Sequence, residues 1–495
     1  MLKQRLHSEH IRIFLLMLIT TVCMLTFASV QPFGDGPDEI NRFKLVEYIY
    51  QHGTLPVGSD PEVLIDGYGG SYAFQPMLTY MIDGYLLRCF RVFEPSLTTR
   101  VFISRLVSIF VGLLSAIYTK KLSDLIFTNK KTAWAFTMAI VLLPQNLFIH
   151  TYVNTDSMGL FSIVLVLYAL LLGMKDDFSK KSCITLAVGI ILCALSYYNC
   201  YGIIVCAVIF FAIYFWKKCR TVTVNSNIDN AGAANISVPS EKNSTHSVST
   251  YDVHSLLQKG LFISTIVLVC IAWWFIRNAI LYEGDFLALE ARNLCAAKTG
   301  LESYNPYTRD TYQRLGIPLM EMIFGTDYFT LVWKSFIAMF GPMQIPTHHY
   351  IYMAFKDLFF MTVIGLLIPL KTSALTWAKP SQKWLTSFIM ILAIIIPSAL
   401  ALYYSYTFDF QPQGRYYLPM VVPFMYFLTI GFEKLVALVV LIVKKLTMLL
   451  GIIKTDNSAV TVEKWTSAAL YHLLYAFLTL CLLYATFISM LGYYK

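Results

Sequence analysis

Long apolar runs recur from end to end of this chain, separated by short polar segments that hold most of its lysines and arginines. A run of about 20 apolar residues matches the hydrocarbon thickness of a bilayer. Lipid offers backbone amides no partners, so such runs must be helices. With sides assigned from where the lysines and arginines fall, the pattern predicts an all-α polytopic membrane protein with about eleven transmembrane helices. The spans are about 13–30, 101–119, 132–150, 156–174, 183–197, 201–216, 259–281, 354–370, 384–405, 416–443 and 466–490. The basic segment 1–12 is cytoplasmic, and the first run is expected to be kept as a span.

Residues 31–73 carry Asp35, Asp38, Glu39, Glu47, Asp60, Glu62 and Asp66 against Arg42 and Lys44, which suits the outer side. Their first part predicts a short helix: Gly36 as cap, Pro37 at the first position, Asp38 and Glu39 in the first turn, and His52-Gly53 as its end. Ile40, Phe43, Val46 and Tyr50 fall at helical spacing, so this helix is expected to lie on the membrane with its apolar stripe down. Residues 74–93 contain Asp83, Gly84, Arg88 and Arg91 and read as a re-entrant or interfacial segment. That reading leaves Lys120, Lys121, Lys130 and Lys131 inside.

The organisation is then an N-terminal membrane module over 13–216 with its outer loop at 31–100, and a C-terminal module over 259–495 with an outer loop at 282–353. Between them, 217–258 is a cytoplasmic loop whose Asn-, Ser- and Thr-rich part reads as disordered. Its Asn-x-Ser/Thr matches at Asn235 and Asn243 carry little meaning on that side. There is no internal repeat.

Composition agrees with this layout. The chain of 495 residues is 57% hydrophobic and 14% charged, against about a quarter charged for a soluble domain. The net charge of +9 sets topology and is no nucleic-acid footprint. Ten cysteines lie mostly inside apolar runs without a CxxC and read as small buried hydrophobes.

Ionisable groups gather near the outer boundary: Asp38, Glu39, Asp156, Arg277 and Arg415, with Arg88, Arg91, Arg100 and Arg105 close to them in sequence order. Charges next to spans face a cavity or one another in preference to lipid. Plainer roles exist for each. Asp38 can pair with Arg42 one turn on, Asp156 can cap a helix, Arg277 can snorkel, and His348-His349 can be a solvated loop.

Taken together, the motifs resemble a known group. They are Pro37-Asp38-Glu39, His52–Pro56, Gln75–Tyr80, Arg105–Ser108, Asn154–Asp156, Trp273–Asn278 with Tyr282–Asp285, Lys334–Gly341 and Gln413–Pro419. The chain resembles the GT-C superfamily of integral membrane glycosyltransferases, in the bacterial branch with first-loop PDE and late-loop QGRY motifs, over about residues 13–425. The resemblance implies a polyprenyl-phosphate-sugar donor and a hydroxyl acceptor (an envelope glycan, a lipid or a protein) at the outer face. It implies catalytic roles for Asp38, Glu39 and Asp156. Donor phosphate contacts fall to Arg415, Arg277 and Arg105, and substrate contacts to Gln75, Gln413 and Tyr416. At Gln75 the sequence departs from the commoner H/K-P-P-L pattern. No cofactor is fixed, and a divalent cation at Asp38 and Asp156 is left open.

The chemistry fits these residue types. A hydroxyl needs its proton taken, and a positioned carboxylate contributes roughly 10²–10⁴-fold. Arginine matches the growing charge on a leaving phosphate. Direct displacement inverts the anomeric centre. A flippase for lipid-linked glycans or a non-catalytic assembly subunit would use similar charges, but a flippase needs polar groups through the midplane. A cysteine introduced at Asp60 is expected to react with an impermeant maleimide from outside intact cells; labelling from the cytoplasm alone would overturn the topology.

Overall fold

The computed structural model describes residues 2–216, 220–221, 249–250, 253–452 and 455–495. Most of the expected disordered loop, with Asn235 and Asn243, lies outside the described residues. The chain is almost entirely helical. Its N-terminal half contains α1 (Leu2–Val30), α2 (Glu39–His52), α3 (Leu78–Cys89), α4 (Leu97–Ile126), α5 (Lys130–Val141), α6 (Pro144–Ile149), α7 (Asp156–Asp176), α8 (Lys180–Ala194) and α9 (Gly202–Trp216). The rest contains α10 (Val253–Leu281), α11 (Leu289–Thr299), α12 (Leu319–Phe324), α13 (Tyr328–Ile337), α14 (His349–Leu366), α15 (Pro380–Thr407), α16 (Val421–Leu449) and α17 (Asp456–Tyr484). Two antiparallel ribbons of two residues a strand are the only strand pairs described.

Among the described residues, eight helices are long and apolar enough to cross a membrane: α1, α4, α7, α9, α10, α15, α16 and α17. The other three expected spans are shorter or interrupted. The run at 132–150 divides into α5 and α6, because Pro144 lacks an amide hydrogen and starts a new helix instead of continuing the old one. The α8 helix has 15 residues and α14 has 18, whereas α9 reaches 19 when the turn from Tyr198 that leads into it is included. Over 74–93 the chain forms α3, whose 12 residues reach about 18 Å, short of the bilayer core.

The charged ends sort into two groups. At one end, Lys120 meets Glu9 at 3.0 Å and Lys130 meets Asp124 at 2.8 Å. Buried Glu433 there accepts from Thr132 at 2.9 Å and from the Ser373 amide at 3.0 Å. At the other end, Tyr494 near the C-terminus donates to Asp35 at 2.8 Å. In the first group Glu9, Lys120, Asp124, Lys130 and Ser373 come from segments expected inside, whereas Thr132 and Glu433 fall within expected spans. Both residues in the second group come from segments expected outside. The most enclosed of the long helices is α7, which is buried along most of its length.

The first-loop helix forms with two differences from expectation. It begins at Glu39, with Asp38 at the N-cap in the left-handed region (φ 62°) and no side-chain cap bond. Its stripe is not turned to lipid. Phe43, Val46 and Tyr50 are buried against Tyr80 and Leu87 of α3, Val101 of α4 and Trp274 of α10, and Ile40 is 48% exposed. Periodicity reveals an apolar face but not whether lipid or protein covers it. Gly53, at φ 72°, ends the helix as expected, its amide closing on Ile49.

Helices α14 and α16 cross at a glycine contact. A Cβ on Gly431 would stand 1.8 Å from the Thr362 carbonyl oxygen, and one on Gly365 would stand 2.3 Å from the Gly431 oxygen. Small residues allow such backbone approach where no hydrophobic force joins helices. Gly431→Val is therefore expected to lower the melting temperature in detergent, at a cost of about 1–3 kcal/mol or more. Gly492→Ala, at a site with nothing within 4 Å, should leave it unchanged. Equal melting of both variants would show that the crossing is not as close as described.

Candidate functional site

The site is assembled from the turn before α2, the turn before α7 and the segment leading into α16. Residues 414–420 form a 3-10 helix that continues into α16. It can lie directly on α13 because residue 414 is glycine: a Cβ there would be 2.1 Å from the Phe336 nitrogen. The Gly414 amide donates to Ser335 Oγ at 2.6 Å. This seating aims Arg415 inward, where its Nη2 donates to Asp38 Oδ2 at 2.8 Å, joining residues 377 positions apart.

Asp38 is free for that contact because its left-handed backbone turns the carboxylate away from the helix amides that an N-cap acid usually serves. Its side chain is 35% exposed, and that of Arg415 is 5% exposed. Burial pushes the Asp38 carboxyl up, but Arg415 and then Arg42 outweigh it, with help from the Tyr72 hydroxyl, and hold it below its ordinary value. Arg415 also donates to the Tyr416 hydroxyl at 3.0 Å. Its Nε and Nη1 are buried and have no acceptor among the described residues. These are the open valences of the site.

Arg42, on α2, is the second buried guanidinium. It lies 3.1 Å from Asp156 and 3.8 Å from Asp38. It also donates to Thr155 at 3.4 Å and stands over the Tyr72 ring at 5.1 Å. Asp156 is not spent as a helix cap; the Ser157 amide is met by Asn154 Oδ1 at 2.8 Å instead. Around the four charges stand Tyr72, Tyr80, Tyr152 and Tyr416. Burial pushes the Tyr80 hydroxyl up to about 12 and the Tyr72 and Tyr152 hydroxyls well upward, so all three stay protonated donors. The Tyr152 hydroxyl has no partner in the protein.

Glu39 and Arg105 form a separate unit. Glu39 is fully buried. Its Oε1 accepts from Arg105 Nε at 2.8 Å and from the Val153 amide at 3.1 Å. Its Oε2 accepts from Arg105 Nη2 at 2.6 Å and from the Gly34 amide at 3.2 Å. The remaining Arg105 donors go to the carbonyls of Ala28 at 2.8 Å, Gln31 at 2.7 Å and Pro32 at 3.2 Å. A guanidinium has five N–H groups, and all of them are engaged. In this arrangement Arg105 has no donor left over for a phosphate, and each Glu39 oxygen has two partners.

Arg277 is engaged away from the carboxylates, although its Nη1 is buried without a partner among the described residues. It donates to the Pro56 carbonyl at 2.7 Å and stacks on Trp274 at 5.5 Å, while Tyr282 accepts from the Gly58 amide at 2.9 Å. Together they fix the turn at 56–58. Gln75 follows Tyr72 in a tight turn, its amide bonded to the Tyr72 carbonyl at 3.1 Å. Gln413 donates to Gln411, and its own side-chain oxygen is buried without a partner. Sequence reasoning missed Arg42, Tyr72, Tyr80 and Tyr152 as members of the site. For Arg42 there was a signal, its position one turn after Asp38; for the tyrosines there was none, since tyrosine is common in this chain.

A guanidinium holds Oδ2 of Asp38 and Oδ2 of Asp156, and no group of three His, Cys, Asp or Glu side chains is placed for a metal ion among the described residues. Cys89 and Cys295, both assigned outside, are free thiols.

A family model described as "Predicted membrane protein (DUF2142)" matches residues 69–424, well over half of the chain and beginning after Asp38. No curated protein matches. Among solved structures, the apo oligosaccharyltransferase from Archaeoglobus fulgidus is similar at 14% identity and a TM-score of 0.50, over 95% of this chain and 56% of that one. ArnT from Cupriavidus metallidurans bound to undecaprenyl phosphate is similar at 13% identity and a TM-score of 0.46, over 96% of this chain and 77% of that one. The chain thus spans just over half the length of the archaeal enzyme. At such identity the likeness concerns the fold alone, an arrangement of membrane helices with outer-loop helices.

Glu39→Gln would set amide hydrogens against Arg105 Nη2 and the Gly34 amide. Breaking a buried pair of this kind costs about 3–5 kcal/mol. Chemical denaturation in detergent should show a loss of that order for Glu39→Gln and a much smaller one for Asp38→Asn, whose side-chain oxygen can still accept from Arg415. Equal losses would refute the division between a structural and a functional acid.

Proposed function

The chain belongs to the DUF2142 family of membrane proteins, and we propose that it is a membrane glycosyltransferase working at the outer face with its N-terminus in the cytoplasm. It takes a sugar from a polyprenyl-phosphate donor and passes it to a hydroxyl of an envelope glycan, lipid or protein. The observation that carries this reading is the Asp38–Arg415 contact at 2.8 Å, beside two Arg415 nitrogens that are buried and lack an acceptor. An acid able to take a proton and a guanidinium able to take a phosphate oxygen meet at one point. Their residues come from the first and last of the motifs that carry the GT-C resemblance.

In this reading Asp38 is the base. It is ionised at neutral pH because Arg415 and Arg42 hold its carboxyl low against the effect of burial. The acceptor hydroxyl gives its proton to Asp38 as its oxygen attacks the anomeric carbon, and the bond to phosphate breaks with inversion. Arg415 Nε and Nη1 take the phosphate oxygens, where a buried donor stabilises developing charge most. Asp156 acts through Arg42, which it holds in place at 3.1 Å. Gln413, with its unpartnered oxygen, and Gln75 and Tyr416 at the rim supply the sugar contacts. Glu39, Arg105 and Arg277 keep the loops in position.

Asp38→Asn is expected to reduce transfer from a polyprenyl-phosphate sugar by roughly 10²–10⁴-fold without loss of membrane insertion; full activity would remove Asp38 as base. Arg415→Ala should raise the donor KM. It also removes the strongest influence lowering the Asp38 carboxyl, so the acid limb of the residual pH–rate profile should move to higher pH. An unmoved limb together with unchanged donor kinetics would take Arg415 out of the site.

A further inference from the structure

We infer that Asp38 and the departing phosphate compete for one guanidinium, Arg415, so that accepting the acceptor's proton and stabilising the leaving group are a single exchange of charge. This deepens the glycosyl-transfer reading and rests on it for its meaning, though its measurement does not require transfer.

The distances divide the four charges into two pairs. Arg42 is 3.1 Å from Asp156 and 3.8 Å from Asp38, so it is anchored by Asp156. Arg415 meets Asp38 at 2.8 Å and otherwise bonds only the neutral Tyr416 hydroxyl at 3.0 Å. Neutralising Asp38 therefore frees Arg415 and leaves Arg42 held. The other elements packed around Asp38 present Tyr72 from the first outer loop and Tyr152 from the turn before α7, both neutral hydroxyls. Among the described residues, no charged group besides Arg42 stands beside Asp38 to replace Arg415 as its partner.

The step balances. The acceptor O–H bond breaks, and its proton goes to an Asp38 oxygen. A bond forms from that oxygen of the acceptor to the anomeric carbon, and the carbon–phosphate oxygen bond breaks with its electron pair on the phosphate. The phosphate changes from a diester with one negative charge to a monoester with two. Two carboxylates and two guanidiniums cancel at rest. After the step Asp38 is neutral, and the site carries one net positive charge at the moment when the phosphate acquires its second negative one. Before it, the Asp38 carboxylate holds Arg415 back from the donor, so binding strength is kept for the later state.

The test is binding by the full-length protein in nanodiscs at about pH 8, where a phosphate monoester is a dianion with its second pKa near 6. The probes are farnesyl phosphate and its methyl diester. Asp38→Asn should bind farnesyl phosphate about tenfold tighter than the native protein, the effect of one like charge removed at close range, with a smaller gain for the diester. Arg415→Ala added to Asp38→Asn should erase the gain. Asp38→Gly should behave as Asp38→Asn does; both residues accept the left-handed backbone at this position, so either can carry the test. Unchanged or weaker binding in both variants, or a gain that survives Arg415→Ala, overturns the inference. If the native protein transfers sugar while the Asp38 variants bind no tighter, the exchange fails and the transferase stands. If no transfer is found but the gain is seen, the exchange stands and the transferase reading fails.

Discussion

A charged group taken out of water must find an opposite charge and fill its hydrogen bonds, because an unpaired one costs several kcal/mol. The outer end of this protein is arranged by that demand. Glu39 and Arg105 satisfy it completely, with four bonds to the carboxylate and five from the guanidinium. The pair ties the first turn of α2 to α4, to the end of α1 and to the turn before α7. Asp38 and the functional cluster take their places from that fixed point.

The neighbouring acids Asp38 and Glu39 consequently have opposite fates. Glu39 faces inward and is consumed by structure. Asp38, one residue earlier in a left-handed conformation, faces Arg415 and remains 35% exposed. Arg42 stands behind both Asp38 and Asp156 and keeps the turn before α7 against the turn before α2. The late segment reaches the cluster because Gly414 lets its backbone lie on α13. Three segments far apart in sequence thus bring two carboxylates and two guanidiniums together.

The same electrostatics set the chemistry. A carboxylate held low by two guanidiniums is ionised at neutral pH and accepts a proton weakly while that pairing lasts. In the proposed transfer, a phosphate arriving at Arg415 would loosen the pairing and strengthen the base, so that the two roles would be parts of one balance.

Much was legible in the sequence because it depends on local composition. Apolar length marked the eight long helices among eleven expected spans. Pro144 and Gly53 carried their own stop signals, although the first was overlooked within a run that otherwise read as one span. The meeting of Asp38 with Arg415 was anticipated only through a motif resemblance. The use of Glu39 and Arg105 was not legible, since a carboxylate or a guanidinium looks the same in sequence whether its bonds are filled or open. Nor did periodicity show that the stripe of α2 is buried by protein, because lipid and a neighbouring helix are both apolar. The sequence by itself determined which stretches enter the membrane and where charge is concentrated; tertiary structure alone decided which charge meets which, because pairing is a property of distance in space and hydrophobic length is a property of distance along the chain.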